Sequence, residues 1–280
     1  MSAIFSFFVA FRASRERWDR KYIIPATGAD KRTVALLFKH AGRVARTYQD
    51  YHLRNLHLER IQLDEIWSFV YAKAKKVAKA KRPPPGAGDA WTWIALCPDT
   101  KLVPTWRVGD RSQETAIAFV KDLESRLAHR VQLTTDGYYP YVEAVREGFG
   151  DDGVDYAMLA KVCTAKEIEQ SKLVVSGDPE EEHVSTSLVE RQNLTVRMSQ
   201  RRFTRKTNAF SKSFRHHAMA VDLHFLYYNF IRIHESLRIT PAMAAGVTDH
   251  LYDLDWVLDM IDEAWPKPNR PKTYKKRKQC

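Results

Sequence analysis

The stretch "IQLDEIWSFVYAK", residues 61–73, has the composition of a β-strand and carries a carboxylate in its interior. Ile, Trp, Phe, Val and Tyr dominate the run, and these residue types are enriched in strands. Aspartate is depleted in strands, so Asp64 is a candidate functional residue, although a single carboxylate in such a place is more often structural. Because strand side chains alternate, Asp64 and Glu65 should point to opposite faces and cannot both face one ion. We predict a strand that carries Asp64 as the candidate functional carboxylate and Glu65 as the competing one.

The segments that follow predict an α/β chain. Their order is a β-hairpin, an amphipathic helix with Ser112 as its N-cap, a strand, a helix, a fifth strand and a long helical region. The corresponding sequences are "AWTWIALC" (90–97), "KLVPTWRVG" (101–109), "SQETAIAFVKDLESRLAHR" (112–130), "VQLTTD" (131–136), "YYPYVEAVREGF" (138–149), "VDYAML" (154–159) and 187–234, broken near Thr207–Asn208. Residues 164–184 are predicted to be irregular. From this order we predict a mixed sheet flanked by helices. This order fits a ribonuclease H-like fold, but other α/β folds share it.

An N-terminal helix is predicted over "ADKRTVALLFKHAG", residues 29–42. Asp30 is the expected N-cap and Gly42 the expected stop. A short helix after the turn at Gly28 resembles the second helix of a helix-turn-helix, with residues 11–24 as a further basic helix. Lys31 and Arg32 would then contact DNA. An ordinary surface helix explains the pattern equally well.

Composition points to a polyanionic partner. Lys plus Arg number 45 against 34 Asp plus Glu, a net charge of +11, with a pI near 9.5. Such an excess favours phosphate neutralisation. The three cysteines are scattered, which argues against a disulfide framework and a cysteine zinc ribbon and fits a reducing cytoplasm. The apolar start "MSAIFSFFVAF" is too short to span a bilayer and lacks a signal-peptide cleavage pattern, so no membrane association is expected.

Two further carboxylates follow Asp64 on suitable elements. Asp136 ends the predicted strand "VQLTTD", and Glu190 lies on a later helix, with gaps of 72 and 54 residues along the chain. Paired metal ions in phosphoryl chemistry need acidic residues that converge from different elements. Asp136 precedes Gly137, a pair that more often forms a turn. Glu190 could equally pair with a neighbouring arginine.

The helix that carries Glu190 is strongly basic. At the 3–4 spacing of a helix, Glu190, Asn193, Arg197 and Arg201 share one face, while Val189, Val196 and Phe203 form a buried stripe. The arginines are too many for one carboxylate to neutralise, and guanidinium groups suit phosphate. We therefore expect DNA contacts from this helix. The expected residues are Asn193, Arg197, Arg201, Arg202 and Arg205.

Long motifs resemble the IS1 family of insertion-sequence transposases over residues 29–262. They are "LDEIWSFVYAK", "DAWTWIALCPDTKLVPTWRVGDRS", "VQLTTDGYYPYVEAV", "HVSTSLVERQNLTVRMSQRRFTRKTNAFSK" and "LYYNFIRIHESLRITPAMAAGV". The resemblance implies a ribonuclease H-like fold and a DDE triad of Asp64, Asp136 and Glu190. It also implies two Mg²⁺ ions, with Mn²⁺ as a substitute, and cleavage and joining of DNA strands. The implied partners are the terminal repeats of the element, target DNA and further copies of the chain.

The expected organisation has three parts. Residues 1–57 form an N-terminal helical DNA-binding segment, 58–262 the catalytic domain, and 263–280 a basic disordered tail that either binds DNA or keeps the protein soluble. Residues 1–28 do not resemble the first helix expected for the family, and we infer an altered N-terminus. Two alternatives stay open: a nuclease that cuts without joining strands, and a non-catalytic DNA-binding relic. The expected location is the prokaryotic cytoplasm, on the nucleoid.

Overall fold

A computed structural model describes residues 30–163, 168–204 and 208–266. The predicted basic helix at 11–24, the apolar start, Arg205 and residues 267–280 of the predicted tail lie outside these ranges. Within them, no helix combines the length and the apolar composition needed to cross a bilayer.

The described residues form a six-stranded mixed sheet flanked by helices, which confirms the predicted α/β class and mixed sheet. The strands are β1 (Arg60–Val70), β2 (Gly88–Leu96), β3 (Trp106–Gly109), β4 (Gln132–Asp136), β5 (Asp155–Cys163) and β6 (Ile168–Ser176). The α-helices are α1 (Lys31–His52), α2 (Ala74–Val77), α3 (Gln113–Glu124), α4 (Pro140–Phe149), α5 (Ser187–Ser199), α6 (Phe214–Leu226), α7 (Pro241–Ala244) and α8 (Leu254–Ala264).

The strand order β3-β2-β1-β4-β5-β6 puts β1 near the centre of the sheet. The strands β1, β2 and β3 pair antiparallel, β4 runs parallel to both β1 and β5, and β6 is antiparallel to β5. The last paired positions between β1 and β4 are Leu63 and Thr135. Asp64 of β1 and Asp136 of β4 are the next residues of their strands, so they lie at the same level of the sheet.

The two faces of β1 meet different helices. On one face, Gln62 and Asp64 bond to residues of α5. On the other, Glu65 bonds to Tyr141 of α4. The ring of Tyr141 also packs edge-on against Trp93 of β2, with centroids 5.4 Å apart. Residues from both helical layers belong to one hydrophobic core, so the sheet is covered on both sides around Asp64 and Glu65.

Helix α1 is longer than the sequence predicted. Asp30 is confirmed as its N-cap, since the carboxylate accepts a hydrogen bond of 2.8 Å from Arg32 N–H. Gly42 does not stop the helix, which continues to His52. A Cβ at Gly42 would lie 2.6 Å from Cβ of Met219. Glycine is there because α6 packs closely against the middle of α1, and this packing outweighs the weak helix preference of glycine.

Three other expectations need correction. Residues 168–176, expected to be irregular, form β6, where Leu173 and Val174 pair with Met158 and Ala157 of β5. The helical region from Ser187 is interrupted at Gln200, whose backbone is extended (φ −123°, ψ 106°), well before the predicted break. Helix α8 reaches Ala264, so the predicted tail begins inside a helix.

Candidate functional site

Three carboxylates meet where β1 and β4 lie side by side. One carboxylate oxygen each from Asp64, Glu65 and Asp136 lies within 4.8 Å of the other two. The parallel register of the two strands brings Asp64 and Asp136 together, as the sequence predicted. In this arrangement three negative groups share one small volume, which is costly unless a cation or a proton compensates.

Two hydrogen bonds fix the Asp64 side chain. Its Oδ1 accepts from the N–H of Glu65 at 2.8 Å, and its Oδ2 accepts from Nδ2 of Asn193 at 2.6 Å. Asn193 is buried, with 6% of its surface exposed, and its Oδ1 has no hydrogen-bond partner among the described residues. Asn193, expected to contact DNA, is thus a partner of Asp64 in the interior.

Asp136 closes a turn as well as ending a strand. Its Oδ1 accepts from the N–H of Tyr138 at 3.1 Å, which leads the chain into α4. The turn preference of the Asp136–Gly137 pair is therefore satisfied together with the placement of the carboxylate beside Asp64. The turn and the site are compatible because the turn uses one of the two carboxylate oxygens.

The expectation that Glu65 faces away from the site is wrong for its carboxylate. Strand alternation does direct the side chain to the α4 face, where Oε2 accepts from the Tyr141 hydroxyl at 3.1 Å. Its Oε1 accepts from Nε of Arg111 at 2.7 Å. The longer side chain still brings an oxygen within 4.8 Å of Asp64 and Asp136. Alternation fixes the direction of Cβ but not the position of a carboxylate two carbons further out.

Arg111 was not predicted from the sequence, and it holds Glu65 in place. Its guanidinium lies 4.0 Å from the ring centroid of Tyr138 and 4.7 Å from that of Trp91. The Tyr138 hydroxyl donates to the carbonyl of Arg111 at 2.8 Å. This loop arginine carries no sequence signal, because its partners come from three separate elements.

The helix that carries Glu190 is anchored to β1. Oε1 of Gln62 accepts from the N–H groups of Leu188 and Val189, at 3.1 and 3.0 Å, in the first turn of α5. With the Asn193–Asp64 bond, two positions of one strand face fix two successive turns of the helix. Gln62 was also missed from the sequence, since glutamine inside a strand indicates no particular function.

Glu190 itself lies outside the group of three. It is exposed, in the first turn of α5, and its Oε1 accepts from the Thr186 hydroxyl at 3.0 Å. It lies one helical turn before Asn193, on the side of α5 that faces Asp64. Among the three predicted carboxylates, the structure therefore brings Asp64 and Asp136 together and leaves Glu190 at the rim.

The crowding of negative charge changes the acidity of the site. Burial, together with the charges of Glu65, Asp136 and Glu190, raises the pKa of Asp64 to about 7. Burial and the charge of Asp136 also raise the pKa of Glu65, against the lowering effect of Arg111. At neutral pH, Asp64 would thus exchange a proton readily unless a cation takes the proton's place.

The predicted DNA-contacting cations differ in exposure. Arg32 and Arg201 are exposed, and Arg197 is partly buried, with its Nε lacking a hydrogen-bond partner among the described residues. Arg202 points inward and donates to Ser211 Oγ at 3.2 Å. Helix α5 ends at Ser199, so Arg201 lies in the following turn and does not continue the helix face of Glu190. Lys31 begins α1.

The buried stripe predicted for this segment is confirmed, since Val189, Val196 and Phe203 are each at most 3% exposed.

A scan against known protein families finds no match for this chain, and a search of curated proteins finds no similar sequence.

Proposed function

We propose that this chain is a DDE transposase of the IS1 family, which cuts and joins DNA strands with the help of divalent cations. The observation that carries the proposal is the side-by-side placement of Asp64 and Asp136 on adjacent parallel strands. The motif resemblance over residues 29–262 contains the same two aspartates and adds Glu190.

The strand order supports a ribonuclease H-like fold in particular. Three antiparallel strands, with the first of them central and continued by parallel β4 and β5, give the order β3-β2-β1-β4-β5. Carboxylates at the middle of the first strand and at the end of the fourth belong to the site expected for that fold.

The donor set fits Mg²⁺. The ion prefers oxygen ligands, and three carboxylates share this volume with one nearby guanidinium, that of Arg111. The unpartnered Oδ1 of buried Asn193 adds a polar atom beside Asp64. Asp64 and Asp136 would hold the ions, with Glu190 as the ligand from α5. When bound, Mg²⁺ ions supply charge stabilisation and a nucleophile at neutral pH.

The residues of the chain divide the remaining tasks. Gln62 and Asn193 fix α5 against β1, so that Glu190 stays one helical turn before Asn193, the partner of Asp64. Arg197 and Arg201, beyond Glu190 in the chain, would hold the phosphate backbone. A water oxygen would attack the phosphorus at the element end and O3′ would leave. The freed 3′-hydroxyl would then attack the phosphorus of a target phosphodiester in line, and the O3′ on the opposite side of that phosphorus would leave and take up the proton that the attacking hydroxyl gives up.

Strand cleavage on the ends of the element tests the proposal. We expect nicking with Mg²⁺ and none with a chelator, followed by joined strand-transfer products. Asp64→Asn should abolish nicking, since it removes a charged ligand without adding bulk. Asp222→Asn is the matched control, because Asp222 is also a buried carboxylate but bonds to Trp106, away from the site.

Three outcomes decide between the readings. Nicking by Asp64→Asn at the wild-type rate would refute the assignment. Nicking without joined products would indicate a nuclease. Binding of DNA without any metal-dependent cleavage would indicate a relic.

A further inference from the structure

Beyond the carboxylates, the β1–β2 hairpin carries a row of half-buried aromatic side chains. Trp67 of β1 and Trp91 of β2 are directly opposite each other in the antiparallel register. Phe69 follows Trp67 on the same face, with ring centroids 5.7 Å apart, and Phe210 packs 5.0 Å from Phe69. We call these four rings, Trp91, Trp67, Phe69 and Phe210, the aromatic strip; each is only partly buried.

The strip begins at the candidate site. Glu65, Trp67 and Phe69 alternate onto one face of β1. Near Glu65 this face is covered by α4, and next to Glu65 in the register Trp93 is fully buried. One step further along the strands, Trp67 and Trp91 are partly exposed. From Glu65 to Phe69 the strand covers about 13 Å, at about 3.3 Å per residue.

Cations accompany the rings at both ends. Arg111 lies 4.7 Å from the Trp91 centroid, Lys73 Nζ is 5.5 Å from that of Trp67, and Lys212 Nζ is 3.3 Å from that of Phe210. Lys73 and Lys212 are exposed. Both remain able to contact a ligand while they lie over the rings.

Beyond Lys73 the positive charge continues. Residues 73–82 contain five lysines and one arginine, all exposed, and no acidic residue occurs between Glu65 and Asp89. This segment is attached firmly to the fold. The N–H of Tyr71 bonds to the carbonyl of Ser211 at 2.7 Å, and Ala74 N–H bonds to Asp89 Oδ1 at 3.0 Å. The cations are therefore held at the outer end of the aromatic strip.

We propose that the aromatic strip binds an unpaired DNA strand, with bases stacked on its rings and phosphates neutralised by Lys73, Lys212 and the 73–82 segment. Flat rings with alternating cations fit bases and phosphates together, whereas phosphates alone need no rings. The rings from Trp67 to Phe210, with centroid separations of 5.7 and 5.0 Å, span up to about 11 Å, which accommodates about three stacked bases at about 3.4 Å each. The choice of DNA, rather than another single-stranded nucleic acid, rests on the proposed function. The strip leads to the three carboxylates, at which DNA would be cleaved.

Affinity for a fluorescent oligo(dT) and for a duplex of equal length, measured by anisotropy at several salt concentrations, tests the proposal. Trp67→Ala should weaken oligo(dT) binding about 10-fold with an unchanged salt slope, because it removes stacking but no charge. Duplex binding should change less than twofold, since paired bases are not available to the rings. Tyr51→Ala is the matched control, as Tyr51 is an aromatic residue that is 78% exposed on α1.

The double change Lys73→Gln/Lys212→Gln separates charge from stacking and alters only exposed side chains. The slope of log affinity against log salt for oligo(dT) should become shallower by about 1.4, at about 0.7 per phosphate contact. This arm decides the matter if Trp67→Ala does not fold, as judged by a thermal melt.

Several results would overturn the inference. They are an unchanged oligo(dT) affinity in a folded Trp67→Ala protein, an equal loss for oligo(dT) and duplex, and an unchanged slope in the lysine variant. If oligo(U) bound 10-fold more tightly than oligo(dT), the ligand of the aromatic strip would be RNA, and the proposal that it binds DNA would be refuted. Strand cleavage by the wild type, measured in parallel, separates the two proposals. If the wild type cleaves DNA and Trp67→Ala binds oligo(dT) as tightly as the wild type, only the proposal for the aromatic strip is refuted. If the wild type never cleaves DNA and Trp67→Ala binds oligo(dT) more weakly, only the transposase proposal is refuted.

Discussion

Replacing Asp64 by asparagine should make the metal-free protein more stable at alkaline pH. Burial and neighbouring carboxylates raise the pKa of Asp64 from 3.8 to about 7. Between these values the folded protein keeps a proton that the unfolded chain has released. The contribution of Asp64 to stability is therefore intact below about pH 4 and is lost as the pH rises through about 7.

The magnitude follows from the gap of about three pKa units, which corresponds to about 4 kcal/mol above pH 8 at about 1.36 kcal/mol per unit. At pH 5 the wild type has lost about 2 kcal/mol of stability, because the contribution of Asp64 has been lost only between pH 3.8, its unfolded pKa, and pH 5. Asparagine keeps both hydrogen bonds. Its oxygen can accept from Glu65 N–H, and its amide can donate to the unpartnered Oδ1 of Asn193 after that amide turns.

Equilibrium urea unfolding at pH 5 and pH 8, with and without Mg²⁺, measures the effect. We expect Asp64→Asn to exceed the wild type in stability at pH 8 without metal, with the difference falling by about half at pH 5. Added Mg²⁺ should stabilise the wild type and leave the variant nearly unchanged. A variant that is less stable than the wild type at both pH values, or a difference independent of pH, would refute the charge-crowding argument.

Three further changes have clear expected outcomes. Gly42→Ala should lower the free energy of unfolding by about 1–3 kcal/mol, because the new Cβ meets Met219; an unchanged urea midpoint would contradict this contact. Gln62→Ala should cost about 1–3 kcal/mol in the same assay, since two N–H groups of α5 lose their acceptor, and should also slow cleavage. Burial lowers the pKa of His224 to about 3, so its contribution to stability is present above about pH 6.5 and lost as the pH falls toward 3. His224→Leu should therefore gain about 2 kcal/mol on the wild type between pH 8 and pH 5; equal pH profiles would show that His224 is not buried in the neutral form.

Much of the sheet could be predicted from composition. The runs that became β1, β2, β4 and β5 are rich in β-branched and aromatic residues. Their order fits several α/β folds, and the placement of Asp64 beside Asp136 was expected from the family resemblance. Strand β6 was missed because polar residues precede its short apolar run, and the pairing with β5 decides its conformation.

The rest of the site depends on tertiary contacts that leave no local pattern. Gly42 was read as a helix stop because glycine has weak helix propensity, and only the approach of α6 shows why it is tolerated. Glu65 was excluded by an argument about Cβ directions, while the position of its carboxylate is set by Arg111 and Tyr141. Both misreadings arise from partners that lie far away in the sequence.

The two hydrogen bonds that Gln62 accepts from α5 also have a consequence for genetics. Gln62 has only 4% of its surface exposed, so an inactive mutant at this position would ordinarily be classified as a folding defect. Yet its side chain holds the first turn of the helix that carries Glu190. A screen that scores protein abundance and the proposed recombination activity in the same cells should separate the two explanations. Alleles at Gln62 would lose recombination out of proportion to abundance, whereas alleles at a purely apolar neighbour such as Leu63 would lose both together.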